Sequence, residues 1–304
     1  MVGLARYALA GTPQAAALVS GFLALGLIVP PLVLLSGALL SVVTLRKGTP
    51  AGTQAAALAT VALGGLMIFV FSSVQAHLVL VLSFWLPSLV AASVLRSTIR
   101  LDLGLLVSGV FGVFGLLGIY IVFDDPAAIW LETLKVAMPA EVWTAQFQIS
   151  ETDYSTFLSE LAEMMSAAMA ASLVFSAIVS LLLARYWQAA LFNPNGFQAE
   201  FHQLRMHKIV ALGLLAIAGL SFVIDSQFLT GVMVVLLLVF WFQGIAVVHA
   251  IVKQRELGVG WLVVMYVLNV MVPQVVFTLA TLGLADTWID LRRRLSARSA
   301  SDDI

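Results

Sequence analysis

Cysteine is absent from this chain, which excludes disulfides, thiolate metal sites and thiol catalysis. Charge is scarce: Asp, Glu, Lys and Arg together make 10% of 304 residues, where an ordinary globular chain carries about a quarter. Histidine occurs four times, and almost no carboxylate falls inside an apolar run, so neither a metal site nor a buried acid–base pair is expected. There is no His-Glu-x-x-His, no Gly-x-x-x-x-Gly-Lys and no helix with regularly spaced arginines. Zinc proteolysis of that type, phosphate-loop nucleotide hydrolysis and voltage sensing are thereby set aside. No catalytic residue, metal ligand or cofactor is assigned, no enzymatic activity is expected, and nucleic acid is not expected as a partner.

What is present in excess is apolar surface: 62% hydrophobic residues and a mean hydropathy of +1.06. The solvent for most of these side chains is lipid. The composition predicts an all-α fold, a polytopic transmembrane helix bundle of about 8–10 membrane segments in a single domain spanning 1–304, with the bilayer as its first partner. Apolar runs fall at about 15–30, 32–45, 52–72, 76–95, 103–123, 163–187, 208–224, 228–252 and 259–288. Pro30-Pro31 divides the first two, and Pro273-Gln274 interrupts the last. Whether 15–45 and 259–288 each hold one crossing or two is left open by the pattern. The first helix is read as retained, since its apolar stretch is long and lacks a cleavage site. The tail from Ser296 to Ile304 is expected to be disordered.

Orientation follows from charge. The segment from Asp124 to Glu163 holds eight acidic residues against Lys135 alone. Basic residues instead collect at Arg46-Lys47, Arg96 and Arg100, Arg185, Arg205 and Lys208, Lys253 and Arg255, and Arg292 to Arg294. The positive-inside rule puts the acidic loop outside and these clusters in the cytoplasm. Both ends of 259–288 are then expected inside. The outer loop is itself partly helical. Trp130, Leu131, Leu134 and Met138 form a stripe ended by Pro139, and Thr152 or Asp153 is expected to cap a helix that carries Phe157, Leu161, Met164 and Met165 into the sixth run.

Small residues recur every four positions: Ala168, Ser172, Ser176, Ser180 and Ala184; Gly52, Ala56, Thr60 and Gly64; Gly104, Ser108 and Gly112; Ala17 and Gly21. In lipid such faces let backbones approach, so most of them read as internal packing. Polar groups inside the runs are few, and Trp85, Gln243 and Asn269 are the candidates for contact with a small ligand. An outer pocket roofed by Trp130 and Trp143 and floored near Trp85 is expected.

The longest polar interruption on the basic side is 185–208. Arg185, Tyr186 and Trp187 mark the end of a membrane helix, and Asn193-Pro194-Asn195-Gly196 reads as a tight turn. Phe197, Phe201 and Leu204, with Glu200 between them, give a short amphipathic helix in the interface. Arg185, Trp187, Asn193, Gly196, Phe197, Glu200 and Phe201 are the candidate docking residues for a cytoplasmic partner. The bland reading of the same stretch is a boundary loop between two helices.

Several motifs carry a resemblance. Leu45-Arg46-Lys47-Gly48 followed by Gly52, Ala184-Arg185-Tyr186-Trp187-Gln188 with Asn193-Pro194-x-Gly196-Phe197-x-x-Glu200-Phe201, Gln243-Gly244-Ile245-Ala246, and Gly283 to Arg292 together resemble the YybS-like predicted membrane proteins of bacteria, a family of unknown function. The resemblance covers nearly the whole chain and implies a multi-pass protein of the bacterial cytoplasmic (inner) membrane. The part from 1 to 187, outer loop 124–163 included, is in turn similar to the S-components of energy-coupling-factor transporters; 188–304 adds an interfacial loop and further helices. That similarity implies a small-molecule binding or transport subunit that docks through small residues of its first helices, here Ala17 and Gly21, onto a membrane coupler with ATPases. The alternative is a membrane scaffold or assembly factor that docks a cytoplasmic partner through 185–208.

Overall fold

The computed structural model describes residues 2–71 and 74–294, and every element among them is helical. The tail beyond Arg294, with the disorder expected of it, lies outside the described residues. Five helices are long and apolar enough to cross a membrane: Pro30–Lys47, His77–Thr98, Leu101–Val122, Glu151–Phe192 and Gln227–Gln254. The outward faces of these and neighbouring helices are apolar, with Val61, Val79, Phe114 and Ile121 all exposed, as a lipid-facing surface must be.

The first half is organised around α3 (Val33–Lys47). It packs on α2 (Thr12–Gly26), α4 (Thr49–Phe71), α5 (Val74–Thr98) and α9 (Glu151–Phe192). A short 3-10 turn at Pro30–Leu32 joins α2 to α3, so the run at 15–45 is a hairpin of two 15-residue helices. The prolines set the turn, because neither supplies an N–H to continue α2. A short α1 (Val2–Ala8) packs where the hairpin's free ends meet α9, and Arg46 lies over the Phe192 ring at 4.0 Å. After α6 (Leu101–Val122) come α7 (Pro126–Ala137) and α8 (Ala140–Phe147), which pack on the start of α9 in a small separate core of Leu134, Tyr154, Leu158 and Ala162. Tyr154 donates from its hydroxyl to the Met138 carbonyl at 2.6 Å.

Two details of α9 differ from expectation. Its N-cap is Ser150, whose hydroxyl accepts from the Asp153 N–H at 3.0 Å, rather than Thr152 or Asp153. It also runs past Trp187 to Phe192. Ala189, Ala190 and Leu191 are strong helix formers, and the stop comes only where Asn193 precedes Pro194.

The second half is organised around α12 (Gln227–Gln254), which packs on α14 (Pro273–Ile289), α9, α6 and α11 (Lys208–Ser221). The run at 259–288 is broken at Val272 into α13 (Gly260–Met271) and α14. Its two ends lie on one face of the bundle: Arg292 donates to the His202 carbonyl at 2.6 Å, and His202 shares a cavity with Val259 and Leu262 at the start of α13. Both proline-broken hairpins, α2–α3 and α13–α14, therefore enter from and return to the face that carries the arginine clusters.

Candidate functional site

The α2–α3 hairpin is too short to match its neighbours. At its base Arg96 of α5 donates to the Leu45 carbonyl of α3. Measured upward from that contact, α5 rises about 33 Å to its first residue while the hairpin rises about 22 Å to Pro30. The tip thus ends about 10 Å below the start of α5. Serines clamp it there. Ser36, fully buried, donates to the Val19 carbonyl at 2.7 Å and accepts from the Trp85 indole N–H at 2.9 Å. Ser180 of α9 donates to the Leu34 carbonyl at 3.0 Å. A Cβ on Gly37 would sit 2.5 Å from the Ser180 oxygen, so only glycine lets α9 come this close.

Above the tip lies a cavity of about 450 Å³. Its floor is Leu23, Gly26 and Pro30; its walls are Leu80 and Phe84 of α5 and Met169, Ser172 and Ser176 of α9. The two serine hydroxyls are its polar features. Ser172 donates to the Ala168 carbonyl at 2.8 Å, which leaves its oxygen able to accept from a ligand. A second cavity of about 260 Å³ shares the Leu173 wall and opens between α5, α6 and α9 beside Pro87. Pro87 has no N–H, so the Ser83 carbonyl in that cavity's lining lacks its helical donor. Trp130 of α7 donates to Ser166 at 3.0 Å, less than two turns of α9 above Ser172, so the acidic cap formed by α7 and α8 stands close over the first cavity.

Such a site suits a molecule that is mostly hydrocarbon with one or two donor groups. No cluster of three metal-ligating side chains occurs among the described residues.

The three residues singled out for ligand contact occupy three separate places. Trp85 is buried and spends its N–H on Ser36; Phe84, its neighbour, is the residue that faces the cavity. Gln243 is fully buried between α12 and α14: its Oε1 accepts from the Met206 N–H at 2.8 Å and its Nε2 donates to the Gly283 carbonyl at 2.7 Å. Asn269 accepts from the Trp241 indole at 2.9 Å. Trp130 and Trp143 belong to the core under α7 and α8 and do not line the cavity.

The stretch 185–208 forms an internal junction. Arg185 pairs with Glu200 at 2.7 Å and also bonds Gln188. Trp187 is fully buried and Phe201 nearly so. Phe197, on α10 (Gly196–His202), stacks on Phe201 with ring centroids 5.7 Å apart. The turn takes Asn195 to a φ of +69°, and a Cβ on Gly196 would meet the Asn193 amide at 2.3 Å. Tyr186, Phe192 and Asn193 to Asn195 remain exposed. Ala17 and Gly21 are exposed on the outward side of α2, and a Cβ on Gly21 would meet nothing within 4 Å.

Sequence reasoning placed Ser172 and Ser176 on a small-residue packing face and missed Leu80, Phe84 and Met169 altogether. A polar pair four residues apart, on the face of α9 that also carries Ser180, was the available signal. At the arginine-bearing face Asp286 pairs with Arg292 at 2.6 Å, and Arg205 reaches Asp290 at 3.0 Å across 85 residues of chain.

Comparison of the chain with family models, curated proteins and solved structures returns no match.

Proposed function

We propose that this chain is a multi-pass membrane protein that binds an apolar small molecule in the cavity above the α2–α3 hairpin and works with a membrane partner. The observation that carries the reading is the half-depth hairpin, which leaves a half-open cleft of ligand size between α5 and α9 with two hydroxyls on one wall. The positive-inside rule orients the arginine-bearing face to the cytoplasm of a bacterial inner membrane, so the cavity opens toward the outer half of the bilayer under the acidic cap. The exposed small residues Ala17 and Gly21 on α2 fit lateral docking of a membrane coupler. This is the arrangement implied by the resemblance to transporter S-components.

The alternative, a scaffold that docks a cytoplasmic protein through 185–208, draws on the exposed rings of Tyr186 and Phe192. The internal burial of Trp187 and Phe201 weighs against it.

The test is a comparison of purified wild type with Ser172→Leu/Ser176→Leu, a pair that fills the cavity without touching the hairpin clamp. Both are extracted with solvent and the small molecules that co-purify are identified by mass spectrometry. A compound retained by wild type and lost from the double variant, at unchanged folding, supports the reading. Identical extracts from the two proteins sink it.

A further inference from the structure

The two cavities beside α5 meet at one residue. Leu173 of α9 lines both the cleft of about 450 Å³ above the hairpin and the cavity of about 260 Å³ on the α6 side, and no other residue is common to the two linings. Leu173 is half-buried with open space on either side, so a change of rotamer is enough to join them. At the mouth of the second cavity Leu82 and Phe114 are 54% and 63% exposed on the apolar outward surface. A molecule that enters there is one that dissolves in a bilayer.

Each cavity presents hydrogen-bond acceptors. In the first, Ser172 donates to the Ala168 carbonyl at 2.8 Å and keeps its oxygen lone pairs free to accept. In the second, fully buried Ser108 does the same, donating to the Gly104 carbonyl at 3.1 Å. A further acceptor comes from α5. Ser83 and Pro87, one helical turn apart, both line this cavity, so the rung of the helix that proline cannot make opens into it. The Ser88 hydroxyl, one residue beyond the proline, donates to the Phe84 carbonyl at 3.0 Å and not to that of Ser83. A carbonyl that lacks its donor in apolar surroundings is costly until one is supplied.

We propose that the ligand is a lipophile with a hydrogen-bond donor at each end, lying across Leu173 with one donor on Ser172 and the other on the Ser83 carbonyl beside Ser108. The proposal rests on the reading of the cleft above the hairpin as the ligand site and names the chemical class that fits it. A plain hydrocarbon leaves both sets of acceptors unmet. An amphiphile with a single head meets one set and leaves the other. A charged headgroup finds no counter-ion, since neither lining contains a charged residue.

The experiment is thermal unfolding and native mass spectrometry of the full chain in a neutral detergent. The probes are octanediol, dodecanediol and hexadecanediol, with a hydroxyl at each end, each compared with the mono-alcohol of the same chain. At the chain length that fits, the diol is expected to bind roughly fivefold tighter than its mono-alcohol, the factor given by on the order of 1 kcal/mol for one buried hydrogen bond. Pro87→Ala returns an N–H to the Ser83 carbonyl and is expected to remove most of that advantage. Gly115→Leu fills the second cavity, whose lining includes Gly115, and a Cβ there meets nothing within 4 Å; it is expected to bring the diol down to the level of the mono-alcohol. Diols that bind no tighter than their mono-alcohols at every chain length, or an advantage that survives Gly115→Leu, would overturn the proposal and leave the ligand reading of the first cavity standing. Failure of both kinds of alcohol to bind, or binding of both unchanged in Ser172→Leu/Ser176→Leu, would overturn the proposal together with that reading.

Discussion

Gly244 of α12 and Gly283 of α14 face each other where the two helices cross backbone to backbone, a Cβ on Gly283 lying 2.7 Å from the Gly244 nitrogen. A Cβ on Gly244 would lie 1.9 Å from the Leu279 carbonyl oxygen, and one on Gly283 would lie 2.1 Å from that of Phe240. Backbone cannot yield as a side chain can. Either glycine changed to alanine is therefore expected to destabilise the protein by about 3 kcal/mol, the upper end of the usual overpacking cost. Gly213→Ala and Gly219→Ala in α11 are the controls, because nothing lies within 4 Å of a Cβ there; they are expected to be neutral or to stabilise by up to about 1 kcal/mol. Unfolding in detergent, followed by circular dichroism, checks both. Equal losses at all four positions would refute the close-crossing account.

The Asp286–Arg292 pair sits beside that crossing with Asp286 fully buried. Asp286 also accepts from the Leu291 N–H at 3.0 Å, so its carboxylate closes the C-terminal turn of α14. Arg292→Met leaves the carboxylate buried without its cation and is expected to cost about 3–5 kcal/mol. Adding Asp286→Asn removes the stranded charge and is expected to recover a substantial part of that loss. A double-mutant cycle measures it; strict additivity of the two changes would argue that the pair does not interact.

Two buried tryptophans are expected to answer the same substitution differently. The Trp85 N–H is bonded to Ser36, which itself ties α2 to α3. The Trp187 N–H meets no acceptor among the described residues. Trp85→Phe should cost about 1–2 kcal/mol more than Trp187→Phe, the worth of a buried hydrogen bond whose loss leaves its partner under-satisfied. Matched unfolding curves for the two variants provide the check, and equal losses would count against the serine clamp.

His202 gives the protein an acid sensitivity with a definite sign. Its folded pKa is lowered from 6.5, first by burial and then by the nearby His249, Lys253 and Arg292. The unfolded chain therefore takes up a proton that the folded one refuses, and stability falls as pH drops below about 6.5. Above that value both states are neutral at this position and the contribution is complete. In His202→Gln the slope of stability against pH in this window should be reduced. An identical slope in the variant would assign the sensitivity to other groups.

Much of the architecture was legible in the sequence, and the reasons are local. Pro30-Pro31 and Pro273 broke their runs where the structure breaks them, because a missing N–H acts on its own helix. The acidic loop's helices were visible in the stripe Trp130, Leu131, Leu134 and Met138, although α8 was not foreseen. What stayed hidden depends on pairing across long separations. Nothing near Ser36 says that it will bond Trp85, 49 residues on, and nothing near Gln243 says that it will accept from Met206. The cavity was harder still: it exists because one hairpin is shorter than the helices around it, and a difference in height between distant elements leaves no mark in either one's periodicity.

The 42 residues of α9 contain neither proline nor glycine, so this helix has no built-in hinge. It spans about 63 Å as one rod, with the acidic cap on its first turns and the Arg185–Glu200 pair near its last. A rod pivoting about its middle by about 5° moves each end by about 3 Å in opposite directions. That displacement is as large as the 2.7 Å contact between Arg185 and Glu200. Any tilt of α9 as a unit would therefore couple the cap to the Arg185–Glu200 junction.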